Sequence, residues 1–524
     1  MVTSRTLAYQ VLLHLEHKAS HPDRLIRTAL ERHSQLDERD RALLTELVYG
    51  VVRWQGRLDW HLDQLSRTRP DRIDPAVRVL IRLALYQILF LDRIPNHAAV
   101  NDSVDIAKTS QPPHVIKFIN AILREAARRS GAVGPPAELP ADPGIRPGGG
   151  AVGPPAELPA DPGIRPGGGA VGPPADLPAD PGIRPGGGLV SRESCAGGGE
   201  WNYPDPRKDP AAHTAVMTSH PIWLVLKLFD QIGPEETKLF CESNNRIAPA
   251  VFRVNALKAS RGRVAESLSA EGVDTAPSPW LDDALRVFSP RRDMTRTQAY
   301  REGWIQAQDE ASQLVSLLLA PMPGERVLDL CSGFGVKATH IAALMKNEGE
   351  VLSVDKSAWK LEELQRNAKR QGAAIIRTLA EEIQSLQPQS IGLFDRVLVD
   401  APCSGLGTIR RKPDIKWRSH IKDPYRLSRI QKDLLSHATR FLKPNGVLVY
   451  ATCAILTDEN ELVALHLSES HPELGIEPAA ENLPGACREM VSGPYFRSWP
   501  QKHDMDGFFA ARWRKNTSEK SPGE

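Results

Sequence analysis

The stretch "GAVGPPAELPADPGIRPGG" occurs in tandem from residues 131, 150 and 169, and its copies differ once, where Glu157 gives way to Asp176. A unit this rich in Pro and Gly, with isolated Val, Leu and Ile, cannot bury enough apolar surface to offset the entropy of ordering the chain. Solenoid repeats carry a hydrophobic face, and this one has none. The repeat therefore divides the chain. A disordered linker is predicted over 131–212, and the chemistry must lie on either side of it.

Those two sides hold enough material for about three domains, since the chain has 524 residues and is 41% hydrophobic. A formal charge of only +2 supplies no bulk field for nucleic acid or membrane, so any basic surface must be local. The start, "MVTSRTLAYQVLLHLE", lacks the apolar core of a signal peptide. The most apolar stretch, "VLIRLALYQILFL", is short and carries Arg82 and Gln87, which predicts a buried helix and no membrane span. A cytoplasmic monomer is expected. Six cysteines (Cys195, Cys241, Cys331, Cys403, Cys453, Cys487) show no C-x-x-C spacing, so disulfides and bound metal are not expected.

Before the linker, residues 1–130 repeat apolar side chains every three or four positions, as in "ALLTELVYGVVRWQGRLDWHLDQL" and "HVIKFINAILREAARR". That periodicity predicts an all-helical domain, with Pro75 at the start of one helix. After the linker, 213–300 is expected to form a small α/β segment for RNA recognition. Over 301–515 strands near five residues alternate with helices: "RVLDL", "EVLSVD", "AIIRTLA", "FDRVLVD" and "GVLVYATC". This predicts a Rossmann-like, doubly wound, mostly parallel sheet with its ligand at the carboxyl ends of the strands, followed by a tail over 516–524.

"VLDLCSGFGVKATHIAAL" is a strand, a glycine loop and a helix, and its "GFGVKA" satisfies G-x-G-x-x-A. Cys331, Ser332, Gly333, Phe334, Gly335, Val336 and Lys337 are the candidate cradle. Asp355 ends the next strand, where a carboxylate can accept from both hydroxyls of a ribose. Beyond the third strand, Glu381 or Glu382 is the candidate on the adenine side. These residues indicate an adenosine ligand without separating a dinucleotide from S-adenosylmethionine.

The choice between them falls to two cysteines. "LVDAPCSGLG" puts Asp400, Pro402 and Cys403 at the end of the fourth strand, and "VYATCAILTDEN" puts Thr452 and Cys453 at the end of the fifth. Carbon 5 of cytosine is too weak a nucleophile to take a methyl group until a thiolate adds at carbon 6, which is covalent catalysis. Afterwards the carbon-5 proton must leave and the thiol must be expelled, so a second group near the base aids release. Asp400, holding or sharing a proton in a desolvated pocket, could hydrogen-bond the ring and also line the donor site. Lys337 could share that work or lower a thiol pKa. "RRKPDIKWRSHIKDPYRLSRIQK" then offers Arg410, Arg411, Lys412 and Lys416 for phosphates, with Trp417 for base stacking.

"DAPCSG" followed by "RRKPDIKW", with "YATC", "QDEASQ", "FRVN" and "DGFFAARW", looks like the Sun/Fmu-type RNA 5-methylcytosine methyltransferases. "LLTELVYGVVRW" and "IPNHAAVNDSVDIAK" resemble the NusB-like RNA-binding domain. The resemblance spans nearly everything outside 131–212. It implies Cys453 as the attacking thiol, Cys403 as the group assisting release, S-adenosylmethionine as donor and ribosomal RNA of the small subunit (16S) as substrate. Phe334 stands where the family carries proline, Val336 where it carries glycine, and Ala454 where serine usually follows the nucleophile. The same chemistry on transfer RNA, and a non-catalytic RNA-binding factor built on the NusB-like bundle, remain as alternatives.

Overall fold

The computed structural model describes residues 3–18, 20–130, 201–288 and 293–516. The three repeats lie outside the described residues. Two compact units are formed: one holds the described residues through Asn245 together with Lys416–Arg418, and the other holds Arg246–Ile415 and the chain from Ser419 onward.

The first unit is helical. Its long helices, Glu38–Leu65 and Pro75–Phe90, begin where Asp37 accepts from Asp40 N and Asp74 accepts from Ala76 N and Val77 N. These side chains satisfy amides that a helix start leaves unpaired, and Pro75 needs no such partner. The helices bury Leu44, Leu47, Leu58, Leu62, Ile81 and Leu83 in a common core. Arg82 interrupts the apolar run because its guanidinium grips Asp59 Oδ1 and Oδ2, both at 2.7 Å, and Glu16 Oε2 at 3.0 Å. A bidentate pair of this kind makes a buried arginine tolerable. Among the described residues no helix is long and apolar enough to cross a membrane.

The predicted linker end at 212 is too late. Trp201 is buried against His61, with ring centroids 4.1 Å apart, and Tyr203 Oη accepts from Arg57 at 3.1 Å. Two aromatic side chains provide the apolar area that the repeats lack. A helix follows at Pro210–Thr218, and with Ile222–Ile232 and Pro234–Asn244 it belongs to the helical unit. The small α/β segment therefore begins later than 213, and its last strand ends beyond 300.

That segment is an antiparallel sheet of β1 (Ala250–Val254), β2 (Asp274–Pro277), β3 (Ala284–Phe288) and β4 (Ile305–Ala307), in the order β2-β3-β1-β4. The large sheet contains β5 (Arg326–Leu330), β6 (Glu350–Asp355), β7 (Ile376–Ala380), β8 (Phe394–Asp400), β9 (Leu442–Thr452), β10 (Leu474–Glu477), β11 (Val491–Ser492), β12 (Tyr495–Arg497) and β13 (Phe509–Lys515). Its order is β11-β12-β13-β9-β8-β5-β6-β7, with β10 also on β13. Strands β5 to β9 run parallel, and β13 pairs antiparallel with β9.

Alternate residues of the parallel strands face opposite cores. Val327, Val351, Leu398 and Val449 pack with Ala338, Ile341 and Leu364, whereas Leu328, Val397, Val399 and Leu448 pack with Leu434, Leu435 and Val463. Both faces of the sheet are thus covered, as continuous apolar strands require. The chain order reverses at β5, flanked by β6 and β8, and that switch point is where a doubly wound sheet opens a ligand crevice.

Candidate active site

The glycine loop is built at the end of β5. Cys331 has a φ of 63° despite its Cβ, and Gly333 and Gly335 follow at 54° and 72°. A Cβ on Gly335 would stand 2.1 Å from Leu364 Cγ, so only glycine fits where the loop enters the helix Val336–Leu344. Asp355, ending β6, accepts from Gly333 N at 3.1 Å and from Ser357 N at 2.8 Å. It thereby secures the loop from the neighbouring strand. Phe334, in place of proline, packs edge-on to Trp359 at 5.5 Å between centroids.

Two buried groups shape this end of the sheet. Lys337 Nζ lies 2.6 Å from Asp400 Oδ2. Burial alone would lower the lysine's pKa, and pairing with Asp400 raises it instead. Asp329, on β5, is 1% exposed, and neither carboxylate oxygen has a partner among the described residues. Burial, reinforced by the charge of Asp400, pushes its pKa up to about 8. Burial also raises the Cys331 thiol well above its ordinary value.

The thiols meet on the other side of Asp400. Register pairs Asp400 with Ala451, so the chains leaving β8 and β9 emerge side by side, and Cys403 Sγ lies 3.2 Å from Cys453 Sγ. Cys403 is raised well above the ordinary thiol range, first by its hydrogen bond with Cys453 and then by burial. The turn carrying Cys453 is closed by Asn460, which meets Thr452 Oγ1 at 2.6 Å and donates to Ala454 O at 3.1 Å. Gly407 N donates to Cys453 O at 2.9 Å, and Gly507 N donates to Gly407 O at 2.8 Å. No side chain could stand at Gly407, because its Cβ would lie 1.9 Å from Gly507 O.

The basic segment is placed differently from expectation. Arg410 is buried and donates to Asp504 Oδ1 at 2.5 Å and Ile247 O at 3.2 Å. Arg411 spans Asp506 and Asp309, at 2.9 and 2.7 Å, and reaches Pro249 O at 3.0 Å. Lys416 has no exposure, donates to Arg53 O at 2.7 Å and has its pKa driven well down by burial. Trp417 is half-buried, with Nε1 on Val52 O at 2.6 Å. These four side chains are committed to internal partners, so the expectation of free phosphate and stacking ligands is corrected for them. Lys412 is exposed. Glu381 and Glu382 are also exposed, just past β7.

Several residues of the site carried no role in the sequence. Arg253, within "FRVN", is buried and donates to Val336 O at 2.9 Å, Gln308 Oε1 at 2.6 Å, Thr339 Oγ1 at 3.1 Å and Gln371 Oε1 at 2.9 Å. The small sheet thereby grips the first turn of the helix that follows the glycine loop. Asp329, Glu459 and Asn460 carried none either, although "VLDL" and "DEN" set polar side chains in or just after apolar runs, and Gln431, on the helix Asp423–Ala438, gave no such signal.

Residues 316–514 match the model of the 16S rRNA methyltransferase RsmB/F family, 2–128 the NusB family, and 220–293 the ferredoxin-like domain of RsmF/B-like methyltransferases. A probable ribosomal RNA small subunit methyltransferase B of Synechocystis sp. is 30% identical, over 98% of this chain and 100% of that protein. Its counterpart in Bacillus subtilis is also 30% identical, over 98% of both chains. The chain belongs to the RsmB/F family of 16S rRNA methyltransferases. The crystal structure of PH0851 shares the fold at a TM-score of 0.72 and 25% identity, covering 98% of this chain and 99% of that one.

As a family member the protein is an RNA methyltransferase that depends on S-adenosylmethionine. The residues present fit that donor: a glycine loop at the end of β5, the Asp355 carboxylate at the end of β6, and a buried Asp329 whose two oxygens have no partner among the described residues.

Proposed function

We propose that the enzyme methylates carbon 5 of a cytosine in small-subunit ribosomal RNA through a covalent cysteine adduct. The observation that carries this reading is the 3.2 Å approach of Cys403 and Cys453 at adjoining strand ends, beside Lys337 and Asp400. Residues 331–337 and Asp355 would hold the donor, with Asp329 opposite its ammonium group. When bound, the donor supplies an electrophilic methyl group.

Cys453, as thiolate, adds to carbon 6 of a cytosine drawn out of its stack, and carbon 5 becomes nucleophilic. Lys337, held by Asp400, is a fixed cation beside that thiolate, and its charge interacts with Cys453. Asp400 offers an acceptor to the exocyclic amine of the base. After methyl transfer the carbon-5 proton passes to water, its electron pair re-forms the carbon 5–carbon 6 double bond, and the carbon–sulfur bond breaks to expel Cys453 as thiolate; Cys403 assists this release. Exposed Lys412 is left to meet phosphate.

The test is transfer from labelled S-adenosylmethionine to undermethylated small-subunit RNA, with Cys453→Ala and Cys403→Ala in parallel on denaturing gels. Label in cytosine, its loss in Cys453→Ala and a trapped protein–RNA adduct in Cys403→Ala are expected. Transfer to transfer RNA in place of ribosomal RNA would overturn the substrate; transfer to neither would leave an RNA-binding factor.

A further inference from the structure

The segment bearing Cys403 is held on both sides by one couple of buried side chains. Gln431, on the helix Asp423–Ala438, donates Nε2 to Pro402 O at 3.0 Å and to Glu459 Oε1 at 3.1 Å. The same Glu459 oxygen accepts from Ser404 N at 2.8 Å. Neither Gln431 nor Glu459 has any solvent exposure. Tyr450 Oη donates to Glu459 O at 2.5 Å, which fastens the turn Thr457–Glu459 to β9, the strand that delivers Cys453. One residue therefore joins the two thiol segments, its carboxylate on the loop of Cys403 and its backbone carbonyl on the strand that delivers Cys453.

A clamp needs only an acceptor, and a neutral amide would serve. Burying an ionisable group costs far more, and Glu459 Oε2 has no partner among the described residues. A negative charge is the property that an amide would lack; burial raises the Glu459 pKa, and the hydrogen bonds from Ser404 and Gln431 work against that rise. The groups facing Cys403 are Cys453, Glu459 and Tyr450, with Asp458 behind Glu459; the cation Lys337 acts on Cys453.

We propose that Glu459 is a positioning residue that fixes Cys403 against Cys453 and confines it to the release half of the reaction. The proposal rests on the two-cysteine reading above. Two thiols in contact near one base would otherwise compete for carbon 6. Glu459 stands against ionisation of Cys403, acting in the same direction as the Cys453 contact and burial. The Lys337 ammonium, held by Asp400, acts toward Cys453, so a cation serves one sulfur and the Glu459 carboxylate the segment of the other.

The experiment uses the full chain carrying Glu459→Gln, Glu459→Asp or Gln431→Leu. Glu459→Gln should slow multiple turnover on the order of tenfold, with single-turnover methyl transfer falling no more than about threefold. Protein–RNA adduct should accumulate on denaturing gels, and Glu459→Asp should restore part of the turnover. Gln431→Leu should accumulate adduct to a smaller extent.

A second measurement needs no RNA. In a Cys453→Ala background, the pH midpoint of Cys403 alkylation by iodoacetamide, read by peptide mass spectrometry, should fall by about one unit on Glu459→Gln. Unchanged turnover and midpoint would overturn the proposal, as would equal losses of attack and release, which denote a purely structural role. If wild type forms neither adduct nor product, the covalent reading fails. The alkylation midpoint then still decides Glu459: a shift supports its hold on Cys403, and no shift overturns it.

Discussion

Lys337 Nζ stands 2.6 Å from Asp400 Oδ2, joining the helix after the glycine loop to the end of β8. The pair is mostly shielded, with side-chain exposures of 11% and 31%, so removing one partner strands the other. Lys337→Met should lower methyl transfer on the order of a hundredfold. Asp400→Asn should have a comparable effect, and the double variant should lose less than the product of the two, because the groups act as one unit. Additive losses in a kinetic double-mutant cycle would refute the coupling.

Asp329 makes stability depend on pH in a direction opposite to an ordinary ion-paired carboxylate. Its pKa is raised to about 8 in the fold, against roughly 3.9 when unfolded, so the folded state holds a proton that the unfolded state has lost. Its contribution is fully present below about pH 4 and is lost as pH rises to about 8, by up to about 1.4 kcal/mol per unit. Asp329→Asn removes this titration. Relative to wild type, the variant's melting temperature should climb between pH 5 and pH 8 and level off above; parallel melting curves would contradict it. A bound ammonium favours the carboxylate, so wild-type donor affinity should rise with pH toward 8, and calorimetry should show that rise flattened in the variant.

What the sequence made legible were features fixed by local rules. Glycine spacing, strand length and the alternation of apolar runs are properties of contiguous residues, and they placed Gly333, Asp355, Cys403 and Cys453 at the carboxyl end of one sheet. The fate of charged side chains was not local. Arg410 and Arg411 looked like a basic surface because their partners, Asp504, Asp506 and Asp309, lie about a hundred residues away in sequence. Tryptophan beside lysine suggested stacking for Trp417, yet its indole N–H is used on Val52 O. The packing of Trp201 was hidden by the glycines just before it in sequence, since its partner His61 lies on a distant helix.

Gly407 connects the two halves of the thiol site through backbone alone. With Gly507 O where its Cβ would be and Cys453 O at 2.8 Å, Gly407→Ala must displace one of these chains. A cost of about 1–3 kcal/mol is expected from overpacking a closed site, and adduct formation by the Cys403→Ala protein should fall because Cys453 moves. Differential scanning calorimetry and the denaturing gel read the two effects separately. An alanine variant that melts and traps RNA like its parent would show that the contact is slack.

The corrected basic segment separates two substitutions that its composition would treat alike. Trp417 Cη2 lies 2.7 Å from where a Cβ on Gly56 would be, and Trp417 packs against the helical core. Trp417→Ala should therefore cost stability, about 2–4 kcal/mol for a partly buried indole. Lys412 is exposed, so Lys412→Ala should leave melting unchanged and weaken RNA binding across sequences. Its signature is the salt dependence: losing one phosphate contact reduces the slope of log affinity against log salt by about 0.7 for single-stranded RNA. An unchanged slope would remove Lys412 from the RNA path, and an unchanged melting temperature in Trp417→Ala would free the indole for the stacking role that its hydrogen bond to Val52 O denies it.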